Sequence, residues 1–86
     1  MTGGALGVLA GGGRLPRMVA EAAAGAGRKV CVVAFDGYTD APTPDGFPHI
    51  WTRFGAAGSS GEWLRSEGVA ELVFAGPVKR PSLARL

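Results

Sequence analysis

Cysteine is almost absent from this chain: there is one, Cys31, in 86 residues. No disulfide can form within it, and a single thiol suits a reducing compartment. Cys31 lies in the apolar run Val30-Cys31-Val32-Val33, which reads as core rather than as a nucleophile. Histidine is as scarce. His49 has no second histidine and no cysteine set around it, so it reads as structural rather than as a zinc ligand. No apolar run approaches the ~18 residues of a membrane span. No basic stretch precedes the first apolar segment, which argues against a secretory leader. Charged residues are only 19% of the chain and the net charge is +2, too small an excess to suggest nucleic-acid binding. Aromatics are 8%. Trp51 and Trp63 lie on element faces and read as packing residues. No paired carboxylates, no Walker lysine loop and no G-x-S-x-G elbow occur.

Glycine is what the chain has in abundance, 15 residues at no fixed period. Hydrophobic residues reach 47%, enough for a packed core in one small domain. The apolar run Ala5–Ala10 reads as a buried strand that enters the turn Gly11-Gly12-Gly13. Pro16 suits the first turn of a helix. Leu15, Met18, Val19, Ala22, Ala23 and Ala26 recur at helical steps over about twelve residues, and Gly25 and Gly27 end the pattern. Residues 29–35 form a second strand, apolar on both faces, as in the middle of a parallel sheet. Residues 38–48 carry three prolines and read as loop. Residues 49–54 read as a third strand. A helix capped by Ser59 or Ser60 follows, then a fourth strand over Val69–Ala75 that stops at Gly76-Pro77. Strands alternating with helices predict an α/β fold: a small Rossmann-like three-layer domain with a mostly parallel four-stranded sheet.

Such sheets bind ligands where loops leave the carboxyl ends of the strands. Three loops there stand out. In the first, Gly11, Gly12 and Gly13 let backbone N–H groups approach an anion at a helix start, and Arg14 can pair a phosphate. The dinucleotide fingerprint is incomplete, because Pro16 replaces its third glycine. A turn that merely needs positive φ is the other reading. In the second, Asp36 lies about 20 residues after the glycine turn, the offset of a ribose-binding carboxylate. It is equally a turn aspartate before Gly37. In the third, Gly76, Lys79 and Arg80 offer a stiff basic corner to a phosphate or simply to water. The residues alone offer a ligand cradle and no catalytic group.

Two segments taken together are distinctive: Ala10-Gly11-Gly12-Gly13-Arg14-Leu15-Pro16 and Ala75-Gly76-Pro77-Val78-Lys79-Arg80-Pro81-Ser82-Leu83. With Val32-Val33-Ala34-Phe35-Asp36-Gly37 and Pro48-His49-Ile50-Trp51 between them, they resemble the amino-terminal domain of the LpxI family of UDP-2,3-diacylglucosamine pyrophosphatases. The resemblance implies a Rossmann-like amino-terminal domain over residues 1–76. Residues 77–86 are then a basic segment leading to a larger carboxyl-terminal domain that these 86 residues do not include. It implies magnesium-dependent hydrolysis of the substrate pyrophosphate to lipid X and UMP, in lipid A biosynthesis. The carboxyl-terminal domain would carry most catalytic contacts, so this chain alone is expected to be inactive and to bind no magnesium. Only Gly11, Gly12, Gly13, Arg14, Gly76, Lys79 and Arg80 carry over as substrate-binding positions, with Asp36 added from the spacing argument. The implied partners are UDP-2,3-diacylglucosamine or its products and the carboxyl-terminal domain, with no nucleic acid; homo-oligomerisation stays open. The implied location is the bacterial cytoplasm, with the full-length protein peripheral at the inner membrane. A non-catalytic nucleotide- or phosphate-binding module is the alternative.

Overall fold

A computed structural model describes residues 4–53 and 57–77. Six elements alternate along the chain: β1 (Ala5–Ala10), α1 (Leu15–Gly25), β2 (Val30–Phe35), β3 (His49–Thr52), α2 (Ala57–Ser66) and β4 (Val69–Ala75). The strands form one sheet in the order β3-β2-β1-β4. Every pair is parallel, with Val8 beside Val32 and Val73, and Val32 beside His49. The expected α/β Rossmann-like domain is the fold observed, and its sheet is wholly parallel.

The central strands are apolar at almost every position because both of their faces are covered. All six residues of β2 are buried. On one face Leu6, Val8, Val30 and Val32 pack under Ala20, with Val19 and Ala23 of α1 against them. On the other, Cys31, Val33 and Phe35 pack under Leu64, with Trp63 of α2 alongside. The sheet is therefore the middle of three layers, one helix above and one below. Val8, Val32 and Val33 are fully buried, each worth about 1.5–3 kcal/mol relative to an exposed side chain.

Helix α1 sits differently from its expected stripe. Its seam is Pro16, Val19, Ala20 and Ala23, while Leu15 and Met18 are 51% and 58% exposed. The sequence pattern could not distinguish two adjacent apolar stripes on one alanine-rich helix. A Schellman cap ends α1: Gly27 N–H donates to the Ala24 carbonyl at 3.0 Å, and Arg28 N–H to that of Ala23 at 3.1 Å. The other helix begins at Ala57, so Ser59 and Ser60 lie inside it and neither is its cap. The third strand runs to Thr52; Arg53 is not part of it, and Phe54, the last residue of the expected strand, lies outside the described residues. His49 is exposed and its Nδ1 donates to the Phe47 carbonyl at 2.7 Å, a local structural role. No helix among the described residues is long and apolar enough to cross a membrane.

Candidate functional site at the carboxyl edge of the sheet

Because β1 and β4 are parallel neighbours, the turns that leave them emerge side by side. The chain locks them together. Gly11 N–H donates to the Ala75 carbonyl at 2.7 Å, and Gly12 N–H to the Pro77 carbonyl at 2.9 Å. No side chain fits between them. A Cβ on Gly11 would lie 2.6 Å from the Gly76 carbonyl oxygen and 2.7 Å from that of Pro77. A Cβ on Gly76 would lie 2.5 Å from the Gly12 oxygen, and Gly76 also has φ +92°, a conformation that L-residues rarely adopt. The two glycine corners are thus one structure, assembled from segments far apart in sequence.

Beyond Gly12 the chain turns into α1. No acidic residue occupies the first turn of α1, and no side chain caps it. The amides of Gly13, Arg14 and Leu15 take no acceptor among the described residues. Helix starts leave such donors open and carry about half a positive charge. Arg14 is exposed beside them and forms no ion pair among the described residues.

Two hollows flank this helix start and share Gly13. One, of about 340 Å³, is lined by Gly12, Gly13, Gly37, Tyr38 and Pro77. The other, of about 470 Å³, is bounded by Gly13, Arg14, Arg17 and the loop residues Asp40, Thr43 and Asp45. The charges separate their uses. Arg17 is already engaged: it pairs with Glu21 at 2.8 Å, donates to the Thr43 carbonyl at 3.1 Å and to that of Asp45, and stacks 5.1 Å over the Phe47 ring. It clamps the proline-rich loop. With two aspartates on its wall, the larger hollow suits an anion poorly. The smaller hollow has no carboxylate among its lining residues and shares Gly13 with the larger, on whose wall Arg14 stands.

Asp36 stands at the end of β2, exposed, its amide donating to the Thr52 carbonyl at 2.8 Å. It is on the same edge, but Gly37 and Tyr38, rather than Asp36 itself, line the smaller hollow. Gly11, Gly12, Gly13, Arg14 and Gly76 lie together at this edge; Lys79 and Arg80 lie outside the described residues. Sequence reasoning missed Thr39. Its buried Oγ1 accepts from Phe35 N–H at 2.8 Å and donates to the Ala10 carbonyl at 2.6 Å. That one hydroxyl ties the turn after β2 to the last residue of β1 and so fixes one wall of the hollow. A threonine two residues after Asp-Gly was the available signal, but its partner Ala10 is distant in sequence.

Among the described residues no group of three His, Cys, Asp or Glu side chains comes together to hold a metal ion. The one thiol, Cys31, is buried in the α2-side core, and burial pushes its pKa up. It is not an activated nucleophile.

Comparison with known proteins adds the family. The family described as "LpxI N-terminal domain" matches residues 5–86. A Caulobacter vibrioides protein, named UDP-2,3-diacylglucosamine pyrophosphatase LpxI, is 37% identical over 81 residues, covering 94% of this chain. The chain spans 29% of that relative's length.

Proposed function

This chain belongs to the LpxI family through its amino-terminal domain, and from that premise we propose that it binds the phosphate-bearing part of a UDP-sugar. It is the nucleotide-side part of a UDP-2,3-diacylglucosamine pyrophosphatase, a hydrolase of lipid A biosynthesis that releases lipid X and UMP in the bacterial cytoplasm. The observation that carries this reading is the joined pair of glycine corners, with Gly12 N–H on the Pro77 carbonyl at 2.9 Å and the uncapped start of α1 beside it. A diphosphate needs several donors at close range and a cation that is not already spent. The amides of Gly13, Arg14 and Leu15 and the guanidinium of Arg14 meet both needs. Lys79 and Arg80 follow Pro77 in sequence and are proposed to add cationic contacts.

The domain's share of the work is positioning and charge neutralisation, which phosphorus chemistry needs more than covalent help. The magnesium implied by the family finds no ligand set among the described residues, so no step is assigned to it here. The acids that would hold it, and the residues that direct water, are proposed to lie in the remainder of the protein. The acylated substrate would bring that whole protein to the inner face of the membrane.

Calorimetric titration with UMP and UDP-N-acetylglucosamine tests the reading. Arg14→Ala should weaken binding by about 10- to 100-fold, the loss of one charge-assisted hydrogen bond, with the circular dichroism spectrum unchanged. Arg28→Ala, on the opposite edge of the sheet, should leave affinity unchanged. No heat with either ligand at millimolar concentration would overturn the proposal. Binding by this chain, without hydrolysis once it is joined to the rest of such a protein, would mark it instead as a phosphate-binding module without chemistry.

A further inference from the structure

The larger of the two hollows beside α1 has room for a ligand that anion binding leaves without a role. It measures about 470 Å³, and Asp40, Thr43 and Asp45 line it together with Arg14. A space of that order holds a small organic group. The wall that carries the two carboxylates is held in place. Thr43 N–H donates to the Asp40 carbonyl at 3.0 Å, Asp45 N–H to that of Pro42 at 3.1 Å and Phe47 N–H to that of Pro44 at 3.1 Å. Pro44 is fully buried, and Arg17 grips the Thr43 and Asp45 carbonyls from α1. A loop so fastened loses little freedom when a ligand arrives.

Its polar side chains are not used by the fold. Asp40 and Asp45 are exposed, and neither forms an ion pair among the described residues, with Arg14 or with any other cation. Thr43 is 5% exposed, and its hydroxyl forms no hydrogen bond among the described residues. Native structures rarely leave such a hydroxyl without a partner; here it borders an open hollow.

The mixture of groups decides the class of ligand. The two carboxylates repel an anion, and Arg14 and Arg17 on the same wall repel a cation. An apolar group would strip water from all of them and return no hydrogen bond. A neutral group rich in hydroxyls fits, because each hydroxyl donates to a carboxylate and accepts from a guanidinium or a threonine, and hydrogen bonds to charged groups are the stronger kind. That is the chemistry of a sugar ring. Position says which sugar. The larger hollow shares Gly13 with the smaller one, so its occupant sits next to a phosphate held at the start of α1. The name of the Caulobacter relative specifies UDP-2,3-diacylglucosamine, whose hexosamine is bonded directly to the diphosphate. With positions 2 and 3 acylated, the hydroxyls at carbons 4 and 6 stay free, two donors for two carboxylates.

We propose that Asp40 and Asp45 determine sugar specificity by accepting the free 4- and 6-hydroxyls of the substrate's hexosamine, seated in the larger hollow with Thr43 against its ring. This rests on the reading that the diphosphate lies at the start of α1.

Calorimetric titration of the 86-residue chain with UDP, UDP-N-acetylglucosamine and its 4-epimer, UDP-N-acetylgalactosamine, tests it. The wild type should bind UDP-N-acetylglucosamine about 10-fold or more tightly than the 4-epimer, the loss of one hydrogen bond to a charged group. Asp40→Ala and Asp45→Ala should each weaken UDP-N-acetylglucosamine by about 10-fold, and the one that removes the partner of the 4-hydroxyl should bring the two epimers level. Asp40→Asn and Asp45→Asn keep a neutral acceptor and should lose less. UDP carries no sugar and should bind every variant at least as tightly as the wild type, because a nearby negative charge has gone. Both side chains are exposed, so the circular dichroism spectrum should not change. Equal affinity of the wild type for the two epimers overturns the proposal. So does tighter binding of UDP-N-acetylglucosamine once either carboxylate is removed, because the aspartates then only repel the diphosphate. In both cases binding of UDP leaves the diphosphate reading standing. If neither UDP nor a UDP-sugar binds, that reading falls and this proposal with it.

Discussion

The two ends of the parallel sheet use similar residues to opposite effect. At the amino edge, Arg28 and Lys29 stand near Gly4, Gly27 and Gly68. At the carboxyl edge, Arg14 stands near Gly11, Gly12 and Gly13. The composition is alike; the pairing is not. Arg28 bonds Glu71 at 2.7 Å and the Gly4 carbonyl at 3.1 Å, and Lys29 bonds Glu67 at 3.0 Å. Those acids come from β4 and the end of α2 and consume the cations. Arg14 meets no acid among the described residues, and the helix start beside it carries none in its first turn. A basic, glycine-rich corner becomes a candidate anion site only where its charge is left unspent. Exposed pairs such as those at the amino edge contribute little to stability; their effect is to close that edge to an anion.

The comparison can be broken most severely at Gly76. Gly76→Ala forces a Cβ into the Gly12 carbonyl oxygen at a left-handed φ. It should destabilise the domain by about 3 kcal/mol or more in urea unfolding, and abolish UMP binding in whatever remains folded. Retained stability would mean that the two corners are not rigidly joined. Thr39→Val comes next. It leaves the Ala10 carbonyl without its hydroxyl partner and should cost about 1–3 kcal/mol, with weaker UMP binding as the Tyr38 wall loosens. Unchanged stability would remove Thr39 from the site.

The smallest effects belong to the amino edge and are read by pH. The hydrogen bond to Glu67 raises the pKa of the Lys29 ammonium above its ordinary 10.5. Its contribution is therefore complete below pH 10.5 and lost as pH rises through the elevated folded value. Burial raises Cys31 above its ordinary 9.0, so the unfolded chain loses that proton first and stability starts to fall above pH 9.0. Glu67→Gln should remove the upper part of this alkaline loss and Cys31→Ala the part beginning near pH 9.0. UMP affinity near pH 7 should not respond to Glu67→Gln. A fall in affinity there would tie the two edges together and weaken the contrast.

Much of this was legible in the chain. The apolar runs Ala5–Ala10 and Val30–Phe35 marked the central strands, because strands buried on both faces cannot alternate. Gly76-Pro77 marked the end of β4, and Gly11-Gly12-Gly13 the turn between β1 and α1; that the two corners pack backbone against backbone was not read. The face of α1 was legible only in part: Val19 and Ala23 belong to the expected stripe, but alanines flank it, and only the sheet beneath selects Ala20 and leaves Leu15 and Met18 exposed. The start of α2 was misplaced because Ser59 and Ser60 are good caps that the helix simply runs through. That Arg17 clamps the proline-rich loop while Arg14 forms no ion pair among the described residues was not legible either, because Arg17's loop partners lie far along the chain.

The order of apolar runs and glycine turns determined by itself that this is a parallel α/β domain with its loops of interest at one edge, because local periodicity and crossover handedness leave few other arrangements. Which cations are spent, that Thr39 joins Ala10, and that Asp40 and Asp45 border one hollow with Arg14 were decided by tertiary structure alone. Each depends on groups distant in sequence that meet only once the sheet has formed.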